Sequence, residues 1–348
     1  MKRIKRVLVL LFVLVMSCLS GSCAKADNEE PKKAAIKDFE ALNEVKDGRV
    51  NVYLIVKALG NNYWDTMTDY VKKSADTLDC NVYFSGSENE NEWEDQVTLL
   101  DMAVEAGADV IIIAPDHSSN LAEPISRIHK MGIPVVLLDT TITVDDYDVC
   151  CMTDNLYAGQ QAAMEMISEL SEMGYTESDS LKVGIGVGSA TSQTISERLA
   201  GFSQYWTGHA PDTWTIITDI KVNGGDADRA EECAYELMNE YPDMRGVFGC
   251  NNGSTVGFAK AISKNNRTDI AIVGFDYSDD IAGLISQPEY YAATMLQRQY
   301  DMAYYSVKAA INLVEGNPVG DKFVDTGVLV VNKKTIYTED VKAILSLD

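Results

Sequence analysis

A chain of 348 residues, 46% of them hydrophobic, with 24 glycines and 8 prolines, has room for two ordinary globular domains and lacks the composition of a disordered or fibrous protein. Its 29 basic and 53 acidic side chains give a formal charge of −24, a surface that repels nucleic acid and anionic lipid alike.

In chain order the first element is MKRIKR, with four positive charges, followed by the apolar run from Val7 to Met16. That is the n-region and h-region of an export signal, and it falls short of the roughly 20 apolar residues that a membrane span needs. Ser20-Gly21-Ser22-Cys23 resembles the lipobox of bacterial lipoproteins, and Val15-Met16-Ser17-Cys18 is a second imperfect match. Residues 1–22 are therefore expected to be a lipoprotein signal peptide, cleaved ahead of a lipidated Cys23 that holds the protein to the outer face of the cell membrane. Residues 23–49, rich in charge and alanine, read as a tether. The other cysteines, Cys80, Cys150, Cys151, Cys233 and Cys250, are odd in number and show no C-x-x-C spacing, which argues against a zinc site or a dense disulfide framework.

From residue 50 onward short Val/Ile-rich runs alternate with segments of helical period. Strands are expected at 50–56, 80–85, 109–114, 134–138, 149–152, 182–187, 214–219, 246–250, 270–274, 291–296 and 325–331. Between most of them lie patterns such as WEDQVTLLDMAVEAG (93–107), with Val97, Leu100, Met102 and Val104 as a candidate buried face. Near-continuous apolar strands separated by helices are the signature of parallel sheets covered on both faces, and this number of strands divides naturally into two doubly wound domains.

Open parallel sheets bind ligands beyond the C-terminal ends of their strands. The residues there are polar, with little positive charge: Asn61-Asn62-Tyr63-Trp64, Asp139-Thr140-Thr141, the 188–196 loop, Asn251-Asn252, Asp276-Tyr277 and Gln297. Such a set suits a sugar, whose neighbouring hydroxyls pair with carboxylates and amides and whose C–H faces lie on aromatic rings. Asp139 and Asp276 would make the charge-assisted hydrogen bonds, Asn61, Asn251 and Gln297 the neutral ones, and Tyr63 or Trp64 the stacking face. Plainer readings stand beside these: the aspartates and one of Asn251 and Asn252 as helix caps, and the two aromatics as core.

Other chemistries find little support. The glycines of Gly184-Ile185-Gly186-Val187-Gly188-Ser189 begin inside a strand and end in Ser, unlike a dinucleotide turn, and there is no G-x-S-x-G, P-loop or H-E-x-x-H. Asp139 and Asp276 could in principle serve a glycosidase as acid and base. His117, His129 and His209 form no ligand spacing. No enzyme activity, cofactor or metal is expected.

LGNNYWD (59–65), GADVIIIAPD (107–116), GIPVVLLDT (132–140), TDNLYAGQ (153–160), SERLAGF (196–202), VFGCNNGSTVGFAKA (247–261), IVGFDYS (272–278) and YAATMLQ (291–297) together resemble the type I periplasmic sugar-binding proteins of ABC importers. The resemblance implies two Rossmann-like α/β lobes, 50–152 plus 298–323 and 153–297 plus 324–348, joined by three crossovers near 152–154, 297–299 and 323–325, with a ligand cleft between. It places ligand contacts on Asn61, Tyr63, Trp64, Asp139, Asn251, Asp276 and Gln297. Ribose binders of this group carry an arginine where Thr140 stands and another where Ser196 aligns, leaving Arg198 as the nearest guanidinium. Ala227 falls where an aromatic is usual, with Asn223 close by. Thr140, Ser196 and Arg198 are thus further candidates, for a monosaccharide or similar polyhydroxylated ligand. The implied partner is an ABC permease served by a monomer that meets the membrane through its lipid alone, with no nucleic acid. The alternative is a sensor of a sugar or furanosyl signal acting on a membrane receptor or kinase.

Overall fold

The computed structural model describes residues 36–90 and 92–345. The expected export signal, Cys18, Cys23 and the first part of the expected tether lie outside the described residues. Among the described residues no helix is long and apolar enough to cross a membrane.

The chain begins with β1 (Glu40–Ala41), β2 (Asn51–Val56), α1 (Asn62–Leu78), β3 (Asn81–Gly86), α2 (Trp93–Glu105), β4 (Val110–Ile113), α3 (Ala122–Lys130), β5 (Val135–Leu138) and β6 (Val149–Met152). It crosses to a second sheet with α4 (Asn155–Glu172), β7 (Leu181–Val187), α5 (Gln193–His209), β8 (Trp214–Ile216), β9 (Lys221–Val222), α6 (Ala227–Glu240) and β10 (Met244–Gly249). That half is completed by α7 (Asn252–Lys264), β11 (Ala271–Phe275), α8 (Asp279–Ile285) and β12 (Ala292–Gln297). Then α9 (Gln299–Glu315) and β13 (Phe323–Asp325) return to the first sheet, and β14 (Val328–Val331) and α10 (Glu339–Leu345) to the second.

The sheet orders are β1-β3-β2-β4-β5-β6-β13 and β14-β12-β11-β10-β7-β8, with β9 on β7. Stripped of their edges, both follow one plan, in which β3-β2-β4-β5-β6 corresponds to β8-β7-β10-β11-β12, every pairing parallel. The pleat divides successive side chains between two covered faces. Along β2, Val52, Leu54 and Val56 pack with residues of α1 and α9, whereas Tyr53 and Ile55 pack with residues of α2 and α3. Each such aliphatic side chain, fully buried, contributes about 1.5–3 kcal/mol of transfer free energy, so both faces must be covered for the sheet to persist.

In α2 the buried positions are Asp95, Gln96, Leu99, Leu100 and Ala103; Leu100 meets the expectation, while Val97, Met102 and Val104 are only half-buried. Gln96 has a structural task that periodicity does not reveal. Its amide donates to the carbonyls of Val56 (3.2 Å) and Ala114 (2.8 Å) and accepts from the Asp116 N–H (2.8 Å), tying the ends of β2 and β4 together.

Three expectations are corrected. Residues 36–49 are folded onto the first sheet: β1 pairs antiparallel with β3, Ile36 and Phe39 pack on one core and Leu42 on the other. The stretch 325–331 is two strands in different sheets, broken at Gly327, whose φ of +77° suits glycine. The third crossover therefore runs through residues 326–327, beyond β13, and the Asp325 carboxylate there accepts from the N–H groups of Asp154 and Gly327, joining it to the first crossover. The strand expected at 214–219 stops at Ile216, and β9 follows as a separate short strand.

The five described cysteines are unpaired thiols. Burial raises the thiols of Cys80 and Cys151 to about 11 and those of Cys150 and Cys250 further, as expected of inert core residues.

Glu169 on α4 is 4% exposed, and its Oε2 has no hydrogen-bond partner among the described residues. Burial, with Glu165 and Glu172 adding repulsion, raises its carboxyl to about 7. Because the folded pKa lies above the unfolded one, protonation favours the fold, and this stabilisation is lost as pH rises through about 7. Glu169→Gln is expected to raise the unfolding free energy near pH 8 by roughly 2–3 kcal/mol and to flatten its dependence on pH, as read by urea titrations at several pH values.

Candidate functional site

At the C-terminal ends of the strands the two sheets face one another across a cleft, about 510 Å³ when the solvent at its open mouth is counted. Its first wall grows from β2. Lys57, the first residue after the apolar run, is 7% exposed, and its ammonium reaches Asp139 Oδ2 (2.8 Å) and Thr140 Oγ1 (2.6 Å). Gly60, at φ +68°, turns the chain into α1, where Asn61 is the N-cap and its Oδ1 accepts from the Tyr63 N–H (2.9 Å). The Asn61 side-chain NH2 is left to the cleft that Asn61 lines.

The Tyr63 hydroxyl donates to Asp139 Oδ1 (2.7 Å), and the Trp64 indole N–H donates to Glu90 Oε1 (3.2 Å). Both rings line the cleft and both belong to the first core, meeting edge-on with centroids 4.9 Å apart. The readings of these aromatics as wall and as core thus hold together.

Asp139 follows β5 and Asp276 follows β11, corresponding strands of the two lobes. Both adopt left-handed backbone, φ +65° and +66°, and each donates its N–H (2.9 Å) to the neighbouring strand, at Cys151 and Met295. Neither caps a helix; Ser278 caps α8. Their charge environments differ. Asp139 is saturated by Lys57, Tyr63 and Thr140 (2.9 Å). Burial alone would raise its carboxyl; the Lys57 ammonium, then the Arg198 guanidinium and the hydrogen bonds from Lys57 and Tyr63, outweigh that and hold it below the usual range. Among the described residues the Asp276 carboxylate accepts only from Gln297 Nε2 (2.8 Å). Burial raises it to about 6, only partly offset by Arg198 and Gln297, with Asp139 and Glu90 adding repulsion. Burial also raises Glu90, against the pull of Lys57 and Trp64.

The second wall depends on a close approach of α4 and α5, where an added Cβ on Gly159 would lie 2.2 Å from the Arg198 carbonyl oxygen and one on Gly201 would lie 2.0 Å from that of Leu156. Arg198 is fixed by Asn155 Oδ1 (Nε, 2.9 Å) and the Cys250 carbonyl (Nη1, 2.8 Å), with its guanidinium 3.8 Å over the Phe275 ring. Asn251 stands at the N-cap of α7 without a side-chain capping bond. The Asn223 amide donates to Ser254 Oγ (2.8 Å), which donates to Asn251 Oδ1 (2.5 Å), so the Asn251 side-chain NH2 is left to the cleft.

Of the residues expected from sequence, Asn61, Tyr63, Trp64, Asp139, Arg198, Asn251, Asp276 and Gln297 line the cleft together. Thr140 lies behind it, wholly buried between Lys57, Asp139 and Thr194. Ser196 is exposed on α5 with its hydroxyl turned back to the Ser192 carbonyl (3.1 Å); the inward face of that helix carries Thr194, Ile195 and Arg198. His117 is outside the lining, its Nδ1 accepting from the N–H groups of Ser119 and Asn120 (3.3 Å each).

Lys57, Glu90 and Asp116 were missed, Thr194 falls in the 188–196 loop that the sequence singled out, and the expectation of little positive charge is corrected by Lys57 and Arg198. Lys57 had a signal, since it directly follows a strand-like run; Glu90 sits in the SENENEW loop, where nothing sets one acid apart. Direct contacts cross between the walls: Thr194 Oγ1 with Thr140 Oγ1 (2.8 Å), the Thr194 hydroxyl to the Asp139 carbonyl (3.1 Å) and the Gln193 N–H to Ser118 Oγ (3.2 Å). Among the described residues no three His, Cys, Asp or Glu side chains form a group able to hold a metal ion.

Two similar lobes, one plan of parallel strands and a polar cleft at the strand ends define a two-lobed, type I periplasmic binding protein architecture. The chain belongs to the periplasmic binding protein domain family, whose profile matches residues 52–318. It is 24% identical over 274 residues to the ribose import binding protein RbsB of Escherichia coli K12, covering 78% of this chain and 87% of that protein. A carbohydrate transporter solute-binding protein from Agrobacterium radiobacter, solved with D-arabinose, superposes with a TM-score of 0.81 at 23% identity, over 86% of this chain and 99% of that one. An ABC transporter solute-binding protein from Agrobacterium vitis, solved with D-fucose, gives 0.75 at 25% identity, over 84% and 98%.

Proposed function

We propose that this chain captures a monosaccharide or similar small polyhydroxylated ligand between its lobes and delivers it to an ABC permease, held at the outer face of the cell membrane by a lipidated Cys23. The observation that carries this reading is the pairing of Asp276 with Gln297 across from Asn61, Tyr63 and Trp64, a carboxylate, amides and aromatic rings lining one cleft. The relatives named above, which bind or import sugars, support it. Capture is non-covalent. The open form separates the strand ends, a ligand that touches both walls favours the closed form, and the crossovers at 153–154, 298 and 326–327 absorb the motion.

A thermal-shift screen of the purified protein against pentoses, hexoses, polyols and furanosyl signalling molecules tests this. A cognate ligand at about a thousand times its Kd is expected to stabilise the fold by roughly 4 kcal/mol, several degrees in Tm. A Tm unchanged by every compound would sink the proposal.

A further inference from the structure

The cleft is over-supplied with acid. Among the described residues Glu90, Asp116, Asp139 and Asp276 line it beside two cations, Lys57 and Arg198. Lys57 and Asp139 neutralise one another in a contact ion pair. Arg198 spends two donors on Asn155 and the Cys250 carbonyl, and no contact ion pair joins it to any of the cleft acids among the described residues. One guanidinium therefore faces Glu90 and Asp276 in a site that closure would strip of water.

Both present oxygens without a protein donor among the described residues. Asp276 is 6% exposed, and among the described residues its Oδ1 receives a hydrogen bond, from Gln297, while its Oδ2 receives none and is left to the cleft. Glu90 gives Oε1 to the Trp64 indole, while Oε2 lies against Gly225 of the opposite lobe, at 2.9 Å from where a Cβ would stand. Hydroxyl groups could donate to these oxygens, but a neutral ligand would leave the excess negative charge enclosed, and enclosing unpaired charge is costly. An ammonium donates to the same oxygens and removes the excess.

Resting on the sugar-binding reading above, we infer that the preferred ligand is an amino sugar or amino-polyol whose protonated nitrogen sits between Glu90 of the first lobe and Asp276 of the second. Because the two carboxylates belong to different lobes, the ammonium is bridged only in the closed state and so drives closure.

Calorimetric titrations of the purified protein near pH 7.5 with glucosamine, galactosamine and mannosamine, each beside its parent hexose and its N-acetyl derivative, test this. An amine is expected to bind at least about tenfold tighter than its parent, with N-acetylation removing the advantage. Glu90→Gln and Asp276→Asn keep the acceptors for Trp64 and Gln297 while deleting a charge, and each is expected to reduce the ratio of amine to parent affinity. A parent hexose that binds as tightly as its amine, or variants that weaken both equally, would overturn the inference and leave sugar binding standing. If neither amines nor parents bind, and the wider screen is silent too, both readings fall.

Discussion

Lys57→Met is expected to lower the unfolding free energy by about 3–5 kcal/mol, because it strands the Asp139 carboxylate, 4% exposed, without its counter-charge. Methionine has nearly the length of the lysine stem, so the loss reports the missing charge, including the ammonium's place 5.4 Å from the centre of the Trp64 ring, more than volume. Adding Asp139→Asn should recover a large part of it: the amide oxygen still accepts from Tyr63, and no charge is left to bury. Urea unfolding of the two single variants and the double variant gives the coupling directly. A penalty below about 1 kcal/mol for Lys57→Met would mean that water reaches the pair and that its worth is that of a surface ion pair.

Gly159→Ala and Gly201→Ala are the second large pair of effects. The added methyl at either position meets carbonyl oxygen of the neighbouring helix, near 2 Å in both cases, and backbone cannot swing aside as a flexible side chain can. The helices must separate, and a penalty of about 3 kcal/mol or more is expected. Arg198 sits on the displaced turn, so ligand affinity should fall as well, although neither glycine lines the cleft. The control is Gly208→Ala on the same α5, exposed and with nothing within 4 Å of its added Cβ; it is expected to stabilise by about 0.5–1 kcal/mol from helix propensity. Equal outcomes at the three positions would refute the close helix contact.

The strands were legible because their periodicity is a direct imprint of burial on both faces; the core strands were located to within about two residues. β1 was not, since Glu40–Ala41 pairs through backbone and carries no apolar alternation. β13 and β14 merged into one expected strand because a change of sheet at Gly327 is a dihedral event, and VDTGVLVV is strand-like on either side of it.

At the site, strand-end position alone pointed to the two aspartates, Asn251 and Gln297, since ligand groups and strand ends coincide in this architecture. Position along a helix was harder to read. Ser196 entered by alignment with an arginine of related proteins, yet lies on the outward side of α5, two residues from the inward Arg198. Glu90 was beyond reach because loop geometry, which sequence spacing does not encode, brings it over Trp64.

The left-handed backbone shared by Asp139 and Asp276 bears on how affinity arises. Asp and Asn tolerate this conformation, whereas most other residues pay about 1–2 kcal/mol for it, so alanine at either position would confuse strain with lost chemistry and asparagine is the informative replacement. In each lobe the turn is stapled by an N–H bond to the adjacent strand and by a threonine hydroxyl on the aspartate's own carbonyl, Thr194 for Asp139 and Thr294 for Asp276. For Asp276 both staples come from its own lobe, and its carboxylate is aimed by main chain and held by Gln297 before any ligand arrives. For Asp139 the threonine belongs to the opposite lobe, so that staple forms only as the lobes meet. One acid is thus set in advance and the other is completed by closure, which divides the entropy of ordering the site between the empty protein and the binding event.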